Sequence, residues 1–134
     1  MTGYSKTPLI KKLGIKENTK ILFYQSPEHF YHLLGEFPSS VILETEISGK
    51  YDYIHFFVSS KKEMQMNLKK MKAALITSGM IWISWPKKSS KVPTDITEDT
   101  IREICLPLDL VDIKVCAVDE IWSGLKLVIR KNKR

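Results

Sequence analysis

The residues best suited to chemistry stand in one segment, Trp85-Pro86-Lys87-Lys88-Ser89-Ser90-Lys91. A rigid Trp-Pro step delivers three lysines and two hydroxyls to the end of an apolar run, and donors of that kind hold anions. Two readings stand for it. One is an anion or small-ligand site using Trp85, Lys87, Lys88 and Ser89; the other is an exposed basic loop with Trp85 closing the core. Asp119-Glu120, after a later apolar run, is expected to face these lysines, in a surface pairing worth on the order of 0 to 1 kcal/mol.

Sets that could do covalent or acid–base chemistry are scarce. His29, His32 and His55 have no sequence partner that would make a nucleophile and base, and each reads as structural. Cys105 and Cys116 lack a CxxC spacing and neighbouring histidines, so they read as buried free thiols with no metal. Neither GxGxxG nor GxxxxGK[ST] occurs, which argues against dinucleotide binding and nucleoside triphosphate hydrolysis.

The elements that would position these residues are marked by punctuation. Thr7-Pro8 predicts a short helix over 7–13 ended by Gly14, and Ser26-Pro27 opens a second that Gly35 closes. Ser60-x-x-Glu63 is a capping box for a third helix with the stripe Met64, Leu68, Met71, Leu75, ended by Gly79. Thr97 caps a fourth, with Glu98 and Asp99 in its first turn and Pro107 beyond its stripe. Between them lie apolar strand runs at Ile21 to Tyr24, Val41 to Leu43, Tyr53 to Val58 and Met80 to Trp85. Continuous apolar strands alternating with helices imply a mostly parallel sheet covered on both faces. Ile113 to Val118 and Leu125 to Ile129 predict a closing antiparallel hairpin. The stretch from Glu44 to Asp52 is short for a parallel crossover, and Ser48-Gly49 could equally turn a hairpin; we read it as parallel.

The 134 residues match a single domain over 1–134 with a basic tail at 130–134. No run reaches the eighteen or so apolar residues of a membrane helix and no signal-peptide core begins the chain, so a cytoplasmic protein is expected. The net charge of +6 sits at the ends: residues 1–20 carry +4, residues 130–134 carry +4, and the middle is −2. Charge confined to termini reads as a solubilising fringe, because nucleic acid prefers a continuous basic face; nucleic acid is therefore the disfavoured partner. Trp122 and Tyr51, read as exposed, could mark an interface, yet single aromatics at loops are usually local packing.

Four strand–helix steps closed by a hairpin resemble the class I S-adenosylmethionine (SAM)-dependent methyltransferase fold, one strand short. The segments GYSKTPLIKKLGI, WPKKSSKVPTDITED and VCAVDEIWSGLKLV resemble the uncharacterised bacterial family called domain of unknown function (DUF) 3052, across nearly the whole chain. The resemblance implies a three-layer Rossmann-like fold and a cofactor, if any, at the carboxyl ends of the first and third strands. There Gln25 and Ser26 would border it, with Glu44, twenty residues beyond Tyr24, accepting from ribose hydroxyls, and Lys87 or Asp119 near an acceptor. Methyltransferases have a glycine-rich turn at this corner, whereas this chain has Tyr24-Gln25-Ser26-Pro27-Glu28. The expectation is a non-catalytic module for a small ligand, an anion or a protein, with an active methyltransferase as the alternative.

Overall fold

The computed structural model describes residues 7–134, so Lys6 of the basic N-terminal run lies outside the described residues. Its strands are β1 (Lys20–Tyr24), β2 (Ile42–Glu44), β3 (Tyr51–Phe57), β4 (Leu75–Pro86), β5 (Leu110–Ala117) and β6 (Trp122–Ile129). Its helices are α1 (Leu9–Lys12), α2 (His29–Leu34), α3 (Lys61–Ala73) and α4 (Glu98–Cys105). The strands form one sheet in the order β2-β1-β3-β4-β6-β5. The first four are parallel, β6 is antiparallel to β4, and β5 is antiparallel to β6. Five strands therefore end on one edge, and only β6 starts there. This is the Rossmann-like, mostly parallel sheet with a C-terminal hairpin that the sequence predicts.

Binary pattern decides the layers. Ile54, Phe56, Ile81 and Ile83 point to one face, where Met64, Leu68 and Met71 of α3 and Ile101 and Cys105 of α4 cover them. Tyr53, Phe57 and Trp82 point to the other, beneath Leu9 and Leu13 at α1 and Phe30 and Leu34 of α2. Each large helix has its cap: Ser60 Oγ accepts from the Glu63 amide at 3.3 Å and Thr97 Oγ1 from the Thr100 amide at 3.2 Å. Both cysteines are buried free thiols. Among the described residues no helix is long and apolar enough to cross a membrane.

Several boundaries differ from the sequence expectation, each for a local reason. Gly79 does not end α3. The helix stops at Ala73, β4 begins at Leu75, and Gly79 lies inside the strand, where a Cβ would stand 2.8 Å from the Asp52 carbonyl oxygen. The absent side chain there admits a neighbouring backbone rather than ending a helix. α1 covers four residues instead of 7–13, with Pro8 at its N-cap and no side-chain cap. α2 starts two residues later than Ser26-Pro27 suggests, with Glu28 at its N-cap and the Pro27 carbonyl accepting from the Phe30 amide at 3.0 Å. Tyr51 is fully buried and not an exposed interface aromatic, and half-buried Trp122 packs edge-on to Phe57.

The 45–50 connection is a parallel crossover. Glu44 sits level with Leu22 while Tyr53 sits level with Ile21, so the chain steps back only about three residues, roughly 10 Å, while crossing two strand spacings. Six residues span up to about 20 Å, which suffices without a helix. The short β2 is what allows the short crossover.

Candidate functional site

Two regions of the carboxyl edge can receive a ligand, and they differ in which groups remain uncommitted. The first is the corner between β1 and α2. Gln25 has φ +60, the left-handed conformation that glycine adopts at least cost. The turn a glycine-rich corner would make is thus made by a residue with a side chain. That side chain stands between two shallow clefts of about 420 and 370 Å³, both lined by Gln25 and Thr45, with Lys70 in one and Ser26 and Tyr31 in the other. Thr45 and Tyr31 are edge residues that sequence reasoning missed; only knowing how far β2 extends could have found Thr45.

Glu44 does not reach this edge. In register it is opposite Leu22, two residues and roughly 7 Å short of Tyr24. Its carboxylate accepts the Tyr51 hydroxyl proton and lies 3.7 Å from Lys20 Nζ. Tyr51 Oη also accepts from the Ser48 amide at 2.8 Å, so the carboxylate and phenol together hold the 45–50 crossover. Burial, and then the bond to Glu44, push the Tyr51 phenol above its usual range. Gln25 and Ser26 are brought together at the corner, and Glu44 is turned away from them.

The second region is the cleft of about 810 Å³ between the end of β4 and the start of α4. Trp85, Lys87, Lys88 and Lys91 line one wall and Asp95, Glu98 and Arg102 the other. The acids are already engaged. Asp95 Oδ1 accepts from the Lys61 amide at 2.7 Å, and Arg102 donates to Glu98 at 2.7 Å, Asp99 at 3.2 Å and Asp112 at 3.0 Å. Among the described residues Lys87, Lys88 and Lys91 form no ion pair. The charge left for a ligand is positive, and the volume is within the range of small-molecule sites. Both readings of Trp85 hold at once, since it is 6% exposed, part of the core, and a wall of the cleft. Ser89 is exposed on the 3-10 turn Lys88–Ser90 and does not line the cleft.

Asp119 does not face these lysines. Its Oδ2 meets His29 Nε2 at 2.6 Å, while Oδ1 accepts from the Ile121 and Trp122 amides at 2.8 and 2.7 Å. A carboxylate with two backbone donors is fixed by the turn it closes. Although burial opposes it, those donors and His29 hold the Asp119 carboxyl below its usual range. The pair clasps α2 to the β5–β6 turn across ninety positions, and no local spacing signals it.

His55 is wholly buried on β3. Nδ1 is 3.0 Å from Tyr53 Oη, Nε2 is 2.6 Å from Ser84 Oγ, and the ring stacks on Phe57 at 4.4 Å. A Ser–His–Tyr chain has the atom types of a catalytic relay, but all three residues are at most 1% exposed, so no substrate reaches the hydroxyl. Burial lowers the His55 pKa to about 3. It is a neutral core histidine with both nitrogens satisfied, as the sequence reading expects. No group of described residues could hold a metal ion.

No protein-family model and no curated protein sequence matches the chain. Solved structures do match, and methyltransferases are among them. A SAM-dependent methyltransferase from Aquifex aeolicus superposes with a TM-score of 0.63 at 15% identity, covering 90% of this chain and 87% of that one. A putative type 11 methyltransferase from Sulfolobus solfataricus gives 0.61 at 18% identity, with 92% and 90% covered. Magnesium protoporphyrin IX methyltransferase from Synechocystis PCC 6803, solved with bound SAM, gives 0.59 at 10% identity, with 90% and 74% covered. The fold is that of the class I methyltransferases. Against this fold's cofactor the first corner fits poorly at one position: Gln25, a residue with a side chain, makes the turn where backbone would approach, and Glu44 is bonded to Tyr51, although Glu46, two residues on, lines the cleft beside Gln25.

Proposed function

We propose that this protein is a methyltransferase-fold binding module that has given up SAM and takes a small anionic ligand in the cleft between β4 and α4. The observation that carries the reading is Gln25 at φ +60, a side chain standing in the one turn whose backbone must approach a nucleoside. The ligand side is supported by Lys87, Lys88 and Lys91, which form no ion pair among the described residues and, together with Arg102, outnumber the carboxylates Asp95, Glu98 and Asp99 of the cleft by one. Kinship with the DUF3052 family, suggested by the three sequence segments, belongs to this proposal and brings no activity with it.

The test has two parts. Calorimetric titration with SAM and with S-adenosylhomocysteine is expected to give no heat of binding, whereas clear micromolar binding at one site overturns the reading. Titration of ¹⁵N-labelled protein with inorganic pyrophosphate should shift backbone amides within 87–99 and leave those of 24–28 in place. Shifts absent from 87–99 remove the ligand assignment.

One observation favours a second reading, an active methyltransferase with an atypical first loop. The left-handed φ at Gln25 preserves the course of a glycine turn, with Ser26 and Thr45 beside it. Gln25, Ser26 and Thr45 would then border the cofactor. Under that reading the SAM titration gives binding.

A further inference from the structure

The hairpin carries a charge arrangement that the cleft does not use. Lys114 on β5 and Lys126 on β6 are directly opposite across the antiparallel pair, and Trp82 of β4 is the next residue in the same row. Trp82 donates its indole N–H to the Leu13 carbonyl at 2.8 Å, which fixes the face: these lysines lie on the side of the sheet covered by α1. Lys16, three residues beyond Leu13, reaches the same spot, close enough for its charge to act on Lys126.

Like charges directly opposite in a sheet are destabilising. Here nothing offsets them, for among the described residues none of the three forms an ion pair, and Asp112 of β5 is engaged by Arg102 on the other face. Lys126 is also half-buried. Burial first, and then Lys114 and Lys16, hold its ammonium below the usual lysine range. An arrangement that costs folding energy and has no internal partner is relieved by an external anion.

The shape of the surface selects the anion. Lys114 and Lys126 stand on a strand pair beside the bulge between Asp112 and Lys114, and none of the three lysines lines a cleft described above, so a single small ion would not be enclosed. A repeating polyanion suits a row of point charges. The sequence places basic charge only at the ends and middle separately; folding brings Lys16 of the N-terminal run against the two hairpin lysines and makes one patch of them.

We propose that Lys16, Lys114 and Lys126 form a sequence-independent contact for the phosphodiester backbone of a nucleic acid. This does not depend on the cleft or on SAM. The full chain would be titrated against a fluorescein-labelled 20-nucleotide duplex of mixed sequence at several salt concentrations, followed by anisotropy. Binding is expected at low salt and falls log-linearly with salt, because phosphate contacts release counterions. Lys114→Gln and Lys126→Gln should each weaken binding several-fold and reduce the salt slope by about 1. Lys131→Gln/Lys133→Gln, in the tail, should change neither by as much.

A second readout separates this from a structural role. Lys114→Gln, which removes the repulsion, should raise Tm in the absence of DNA, whereas a lysine kept for packing would lower it. No binding at low salt overturns the proposal. So does binding whose salt slope is untouched by the two hairpin variants, or capture by phosphatidylserine vesicles without binding to the duplex.

Discussion

Acid should unfold this protein through His55. The residue is fully buried, hydrogen-bonded at both ring nitrogens, and has a pKa of about 3 against 6.5 for an unperturbed histidine. The folded state keeps it neutral while the unfolded chain binds a proton below 6.5. Stability is therefore complete above pH 6.5 and falls as pH drops toward 3, by about 1.4 kcal/mol per unit. Across the whole window the loss is about 5 kcal/mol, comparable with the net stability of a small domain. Between pH 7 and 4.5 it is about 2.5 kcal/mol. Asp119, held below its usual range, loses its contribution only as pH falls further.

Urea denaturation followed by tryptophan fluorescence at both pH values should show the midpoint moving down by about 1 M or more. The control replaces the whole chain of polar groups, Tyr53→Phe with His55→Phe and Ser84→Ala. Removing every partner together leaves no orphan and should cost little at pH 7, whereas Ser84→Ala alone strands one ring nitrogen and costs about 1 to 3 kcal/mol. The triple variant should hold its midpoint between pH 7 and 4.5. A flat wild-type profile, or an equal fall in the triple variant, refutes the assignment of acid lability to His55.

Three further outcomes follow from single sites. Gln25→Gly relieves a left-handed conformation costing about 1 to 2 kcal/mol but loosens the unfolded chain, so thermal unfolding should show a Tm equal to or a few degrees above wild type; a clear drop would mean the side chain packs usefully. Gly79→Ala puts a methyl 2.8 Å from the Asp52 carbonyl and 2.7 Å from Leu75 Cδ1, and should cost about 1 to 3 kcal/mol in urea unfolding. Thr97→Ala removes the cap of α4 and should cost about 1 kcal/mol, which circular dichroism melts at neutral pH can resolve.

What could be read in the sequence follows the range of the interaction. Strand cores and the α3 and α4 caps obey local rules, and Ser60, Thr97 and the Met64-Leu68-Met71 stripe all do in the structure what their spacing says. Gly79 misled because a glycine after a helical stripe looks like a stop, while its reason is the Asp52 backbone, far away in sequence. The edge was harder. Lys87, Lys88 and Trp85 meet in a cleft because they are neighbours in the chain, but the His29–Asp119 clasp and the approach of Lys16 to the hairpin lysines Lys114 and Lys126 join residues about ninety or more positions apart. Lys16 illustrates the limit: summed by segment it belongs to a fringe, and only the β5–β6 register makes it part of a surface.

The missing strand–helix step and the engagement of Glu44 are two consequences of one change. In a sheet with a helix between β2 and β3, the return path is carried above the face and the end of β2 is left open. Here six residues make the return, passing over β1 on the α3 side, where Glu46 and Ile47 come beside Lys70. A loop so short needs a post, and Tyr51 supplies it, its hydroxyl taking the Ser48 amide and reaching the Glu46 carbonyl while donating to Glu44. Lys20 closes the arrangement from below, donating to the Ser48 carbonyl with its ammonium 4.8 Å from the Tyr51 ring centroid. Glu44 is therefore spent on holding the crossover, at a level the short β2 fixes. Tyr51→Phe would free the carboxylate from its phenol, yet it would also leave the Ser48 amide without its acceptor. Hydrogen exchange should then quicken selectively at 45–50, and SAM affinity should stay absent, because the register and not the hydrogen bond keeps Glu44 from the edge.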